Sequence, residues 1–145
     1  MFIQQVSVFL ENTKGTLCHM TRLLARENIN LLAMSVADTA GFGIVRLIVR
    51  SSEIEKAVSA LRNDGEMAKV NEVVCVRIPN EPGGLSHVLT VLEEGGVSIE
   101  YAYSFCRSNI QDALIILRPS DKALCIRCLT EKEIRLVSQD EVDQF

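Results

Sequence analysis

The sequence predicts an α+β chain of two ferredoxin-like βαββαβ repeats, each an antiparallel sheet covered by helices on one face. Three observations carry this. The 145-residue sequence overlays on itself without a gap when shifted by 68 positions, from about residue 5 to residue 65. Each half alternates β-branched stretches with runs at helical spacing, in the order βαββαβ. Right-handed βαβ crossovers then fold most simply into one sheet with both helices on the same side.

In the overlay Val6 and Val8 meet Val74 and Val76, and Asn12, Gly15, Leu17 and His19 meet Asn80, Gly83, Leu85 and His87. Leu24 meets Leu92, Arg50 meets Arg118, Ser52 meets Ser120, and Leu61 meets Leu129. The boundary falls near Asn71, which gives domains 1–71 and 72–145.

The elements follow in order. Residues 2–10 and 73–78 are alternating and β-branched, hence first strands. Thr16–Glu27 and Gly84–Glu94 place Leu17, Met20, Leu23 and Leu24, and Leu85, Val88, Leu89 and Leu92, on one helical face. Gly95-Gly96 closes the second of these helices as a C-cap does. Second strands fit 29–37 and 97–105, third strands 42–50 and 110–118, with turns at 38–41 and 107–109. Ser52-Glu-Ile-Glu55 reads as a capping box opening a helix on Ile54, Ala57, Val58 and Leu61 that Gly65 stops, and Ser120-Asp121 starts its counterpart. Short last strands fit 66–71 and 134–139.

The second strands differ. One carries Ile99, Tyr101, Tyr103 and Phe105 on one face with Glu100, Ala102 and Ser104 opposite. The other is apolar on both faces, with Leu31, Ala33, Ser35 and Ala37 against Leu32, Met34 and Val36. A sheet covered on one side should be polar on the other, so Leu32, Met34 and Val36 are expected under a sheet from a second chain. Halves of this size also have small cores and open sheet edges, which pairing relieves.

Composition narrows the function. The chain is 48% hydrophobic and 23% charged, which is globular and core-rich. A net charge of −4, a pI near 5.2 and no Trp argue against a nucleic-acid partner. No apolar run is long enough for a membrane span, and the N-terminus lacks a signal-peptide pattern. Five cysteines, an odd number, suggest reduced thiols in a cytoplasm. Cys125-Ile-Arg-Cys128 lies inside an expected helix with no second pair, so core packing is favoured over metal or redox chemistry. No metal and no cofactor is expected.

The loops Asn12–Leu17 and Asn80–Leu85 join a strand end to a helix start, where unpaired N–H groups attract anions. Gly15, Gly83 and Gly84 allow close backbone approach, Pro82 stiffens the loop, and Asn12 and Asn80 can serve a zwitterion. A carboxylate suits these loops. A nucleotide does not, since neither a Lys-Ser/Thr nor a GxGxxG accompanies the glycines. A plain turn and cap remains the alternative. His19 and His87 repeat one turn into their helices, beside the apolar stripe, and read as rim residues or ligand contacts. No carboxylate or nucleophile repeats beside them, so no acid–base dyad can be drawn. Tyr101 and Tyr103 read as core or interface residues ahead of ligand contacts.

With Asn-x-x-Gly-x-Leu at 12–17 and again at 80–85, then a helix and Glu-Asn-Ile-Asn-Leu or Gly-Gly-Val-Ser-Ile, the chain resembles the ACT domain over nearly its whole length. As a whole it is similar to stand-alone proteins of two ACT domains. The resemblance implies a non-catalytic regulatory protein that holds an amino acid between paired domains. It implies contacts from Asn12, Gly15, Thr16 and Leu17 and from Asn80, Gly83, Gly84 and Leu85, closed by Asn30 and Leu31 or by Ser98 and Ile99 of the adjacent domain. Lys14 against Pro82, and Asn30 against Ser98, set the two sites apart. A homodimer is the expected state. The alternatives are a detached subunit of a biosynthetic enzyme such as acetolactate synthase, a small enzyme using His19 or His87, and a purely structural oligomer.

Overall fold

A computed structural model of the chain describes residues 1–38, 41–106 and 111–145. The elements are β1 (Ile3–Glu11), α1 (Thr16–Arg26), β2 (Ala33–Asp38), β3 (Phe42–Ile48), α2 (Ile54–Asn63), β4 (Met67–Pro79), α3 (Gly84–Glu94), β5 (Ile99–Ser104), β6 (Asp112–Pro119), α4 (Lys122–Glu131), β7 (Arg135–Leu136) and α5 (Gln139–Asp143). The strand and helix order is βαββαβ twice, with α5 added. The expected turn at 107–109 lies outside the described residues, as do Thr39 and Ala40 of the turn at 38–41 and Ile110 of the third strand.

Two compact units emerge, Gln4–Asn71 and Glu72–Phe145, with Met1–Ile3 joining the latter rather than the former. The division falls inside β4, where two separate strands at 66–71 and 73–78 were expected.

In the first unit β3 pairs antiparallel with both β1 and β2, Val8 opposite Val45 and Val45 opposite Val36. Val6, Val8, Leu10, Val45 and Leu47 face Met20 and Leu24 of α1 and Ala57 and Leu61 of α2 in one buried cluster. In the second unit the strand order is β7-β4-β6-β5, all antiparallel. Val74, Val76 and Leu117 meet Val88, Leu92, Cys125 and Leu129. Each fully buried leucine of this kind contributes about 1.5–3 kcal/mol. Helix ends follow local chemistry. Gly65 and Gly96 take φ of +90° and +74° after α2 and α3, and the Asp121 carboxylate accepts from the Leu124 N–H at 2.9 Å to cap α4.

Three expectations fail for physical reasons. The capping box is not Ser52–Glu55, because a single 3-10 turn (Ser51–Glu53) precedes α2. There the Arg50 N–H reaches the Glu53 carboxylate at 3.4 Å while the Glu53 N–H donates to the Arg50 carbonyl. The last strand of the second half is only Arg135–Leu136. Ser138 and Glu141 cap each other, opening α5, which buries Val142 and sets Phe145 edge-on to Phe105 at 5.8 Å.

The faces of the second strands are also reversed. Met34 and Val36 stand in register with Leu47 and Val45, on the helix-covered face, and Ala102 and Ser104 stand with Leu117 and Ile115. Tyr101 and Tyr103 therefore lie on the face turned away from the helices, stacked at 6.4 Å. β2 and β5 each pair on one side only, so two helices do not reach across to cover them. Met34 and Val36 stay 37% and 50% exposed, while Leu32 is buried within the single chain. A covering sheet is not what Leu32 needs.

Candidate functional site

Each candidate loop ends on a glycine in the left-handed region, Gly15 at φ +92° and Gly83 at φ +93°, immediately before its helix. That conformation favours glycine, since a side chain would crowd the following carbonyl. Neither helix start receives a side-chain cap. Asn12 and Asn80 are thus loop residues three positions ahead of the helix N-cap, not caps themselves. The first N–H of each helix is already engaged, Thr16 donating to the Thr13 carbonyl at 3.4 Å and Gly84 to the Glu81 carbonyl at 3.1 Å, while the N–H groups of the next two residues precede the helical ladder.

The two loops then diverge. In the first, the Asn12 amide donates to the Asp38 carboxylate at 2.7 Å, and the Thr16 hydroxyl sits 2.9 Å from the carbonyls of Glu11 and Thr13. In the second, Cys106 occupies the position of Asp38 and Gly84 that of Thr16. A Cβ on Gly84 would come within 3.0 Å of the Pro79 carbonyl oxygen, so the backbone packs where Thr16 uses its hydroxyl. Leu17 and Leu85 are both more than a third exposed.

Residues expected to close the sites lie elsewhere. Asn30 and Leu31 precede β2; Asn30 is exposed and Leu31 packs against the first core. Ser98 exchanges bonds with Ser120, donating to its hydroxyl at 3.2 Å and accepting from its N–H at 2.8 Å, and Ile99 opens β5. Within each unit an 11-residue helix separates the loop from these residues, roughly 16 Å at 1.5 Å per residue. The structure brings together the members of each loop but not a loop and its strand residues.

Each loop borders a cavity, on different sides. The first, about 200 Å³, is lined by Asn12, Thr13, Gly15, Leu17 and Cys18 with Val36 of β2, and is largely apolar. The second, about 550 Å³, opens between Pro82, Gly83, Gly84 and His87 and the turn from α4 to β7. Arg77, Glu81, Lys132, Glu133 and Arg135 supply its charges. None of these five charged residues was among the expected contacts, and four of them lie outside the loop. The available signal was the overlay itself, in which Arg77, Lys132, Glu133 and Arg135 replace Phe9, Asp64, Gly65 and Met67. Glu133 keeps the left-handed backbone that Gly65 adopts, at φ +56°.

The histidines differ as well. His19 Nε2 lies 2.6 Å from Asp64 on the exposed surface, joining α1 to the end of α2. In the second unit Lys132 stands at the position of that carboxylate, and both His87 and Lys132 line the second cavity. Cys125 is buried in α4 and its thiol is pushed up to about 11, chiefly by desolvation and then by Cys128. That is the opposite of a reactive thiolate. Among the described residues no cluster of three or more His, Cys, Asp or Glu could hold a metal, and no helix is long and apolar enough to cross a membrane.

A family model described as ACT domain pair matches residues 1–145. Among solved structures, a protein from Bacteroides thetaiotaomicron is 41% identical and superposes with a TM-score of 0.90, covering 100% of this chain and 98% of that one. The regulatory subunits of aspartate kinase from Thermus thermophilus and Thermus flavus share the fold, at TM-scores of 0.66 and 0.64 and 14% identity each. Both matches cover 88% of this chain, and 91% and 90% of those chains respectively. No curated protein matches the sequence.

Proposed function

Since the chain belongs to the family of ACT domain pairs, we propose that it is a non-catalytic regulatory protein that binds an amino acid at its strand–helix loops. The observation that carries this reading is the pair of uncapped helix starts behind left-handed glycines at Gly15 and Gly83, each beside an asparagine loop. A carboxylate is the group such a start attracts, through unpaired N–H groups and the positive end of the helix dipole.

The contacts are Asn12, Gly15, Thr16 and Leu17 in one loop and Asn80, Gly83, Gly84 and Leu85 in the other. Asn30 and Leu31, or Ser98 and Ile99, complete a site from an adjacent domain, since a helix length separates them from the loop of their own unit. The chain acts as a homodimer in the cytoplasm, and ligand stabilises the paired state by its binding free energy. The alternative reading is a detached regulatory subunit of an amino-acid biosynthetic enzyme, for which co-purification of a large enzyme would be the sign.

A thermal-shift panel of the twenty amino acids tests the reading. Ligand at 100 times its dissociation constant should add about 2.7 kcal/mol. Alanine at both Asn12 and Asn80 should remove the shift. A panel with no shift overturns the reading and favours a purely structural oligomer.

A further inference from the structure

The second loop alone opens on a ligand-sized cavity of mixed charge, and that asymmetry identifies a ligand class. Resting on the amino-acid reading above, we propose that this cavity is a site for an acidic amino acid, L-glutamate or L-aspartate. Its volume of about 550 Å³ lies in the ordinary range for small-molecule sites. Three cations line it, Arg77, Lys132 and Arg135, with two carboxylates, Glu81 and Glu133. An acidic amino acid presents the complement, two carboxylates and one ammonium.

The repeat serves as an internal control. At the matching positions the first unit has Phe9, Asp64 and Met67 for the cations, and Thr13 and Gly65 for the carboxylates. The first loop's own hydrogen bonds through Asn12 and Thr16 hold its polar groups, and its cavity is smaller and apolar. The three cations and both carboxylates are thus particular to the second unit, the one charge at the matching positions of the first being Asp64.

Some of that charge is already engaged. Arg135 donates to Glu141 at 2.9 Å, and Arg77 Nη1 lies 3.5 Å from Asp112. The Arg135 pair is solvent-exposed and weak, and a guanidinium keeps further donors for a ligand carboxylate. Arg77 Nε is buried and lacks a hydrogen-bond partner among the described residues. Lys132 and Glu133 have no side-chain partner among the described residues, and Glu133 is held in a backbone conformation that disfavours any residue but glycine.

Isothermal titration of the full chain with L-glutamate, L-aspartate, L-glutamine and L-asparagine tests the proposal. The acids should bind with one site per chain, and the amides, which lose one charge at constant shape, at least tenfold more weakly. Lys132→Gln should weaken the acids about tenfold at an unchanged apo melting temperature, while Lys56→Gln, a charge change away from the cavity, should not. Equal binding of acids and amides, or no effect of Lys132→Gln, overturns the proposal. A response in the twenty-residue panel to apolar or basic amino acids only also overturns it, yet leaves the function reading standing; silence across the panel ends both.

Discussion

Alanine substitutions at Gly83 and Gly84 separate two demands that adjacent glycines meet. At Gly83 the demand is conformational, because φ is +93° while an added Cβ would meet nothing within 4 Å. Alanine there pays the left-handed penalty of roughly 1–2 kcal/mol. Reduced freedom of the unfolded chain returns about 0.4–1 kcal/mol, leaving a net loss near 1 kcal/mol. At Gly84 the demand is space. Its Cβ would come within 3.0 Å of the Pro79 carbonyl oxygen, a backbone atom that cannot swing aside as a side chain would. Overpacking of this kind costs about 1–3 kcal/mol, and relief requires moving the first turn of α3 away from β4. Gly84→Ala should therefore be the costlier change, at about 2–3 kcal/mol. Urea unfolding followed by circular dichroism reads the difference, and with m of about 1–3 kcal/mol/M the midpoint of Gly84→Ala should fall about twice as far as that of Gly83→Ala. Equal midpoints, or Gly83→Ala the more damaging, would refute the close approach at Pro79.

Other perturbations follow from the same geometry. Glu133→Gly should stabilise the apo chain by about 1 kcal/mol in urea, since it relieves a left-handed glutamate; a loss of stability would show the side chain holding the fold. Burial pushes the Cys75 thiol up to about 12, so exposed Cys18 and Cys106 should react with an aromatic disulfide reagent in the native protein while Cys75 and Cys125 react only on unfolding. Both buried thiols are raised when folded, so their contribution is complete below the ordinary thiol range and is lost as pH rises toward 11 and 12. Flat stability above pH 9 would contradict that burial. Bonds from the Ser138 backbone, then from Arg135, hold the Glu141 carboxyl below its ordinary range. Its stabilisation is present above the ordinary carboxylate range and lost as pH falls through the lowered value, so the gap between wild type and Glu141→Gln should be open at pH 7 and closed in strong acid.

Much of the fold was legible because local signals agreed with one another. α3 runs Gly84–Glu94 as expected, since glycine pairs bracket it and its apolar residues keep helical spacing. α5 was missed although Ser138-x-x-Glu141 is a helix-start pattern, because alternation over 134–139 read as a strand. The faces of β2 and β5 were misassigned for a different reason. Exposure on an edge strand depends on how far two helices reach across a sheet, a tertiary quantity that alternation does not contain. The loop glycines and asparagines stood out from their repetition. Arg77, Lys132, Glu133 and Arg135 did not, because they break the repeat and three of them lie in the turn after α4 and at the start of β7, some fifty residues from the loop they face. In a duplicated fold the departures from the repeat carry as much about the site as the matches do.

An amino acid held at the strand–helix loop ahead of α3 must perturb the backbone there. Amide chemical shifts of the isotope-labelled chain, followed during titration with the amino acid that raises the melting temperature most, test it directly. Gly83, Gly84, Leu85 and His87 should move first and furthest, saturating at one common dissociation constant. A saturating titration that leaves those four amides in place while others move would contradict it.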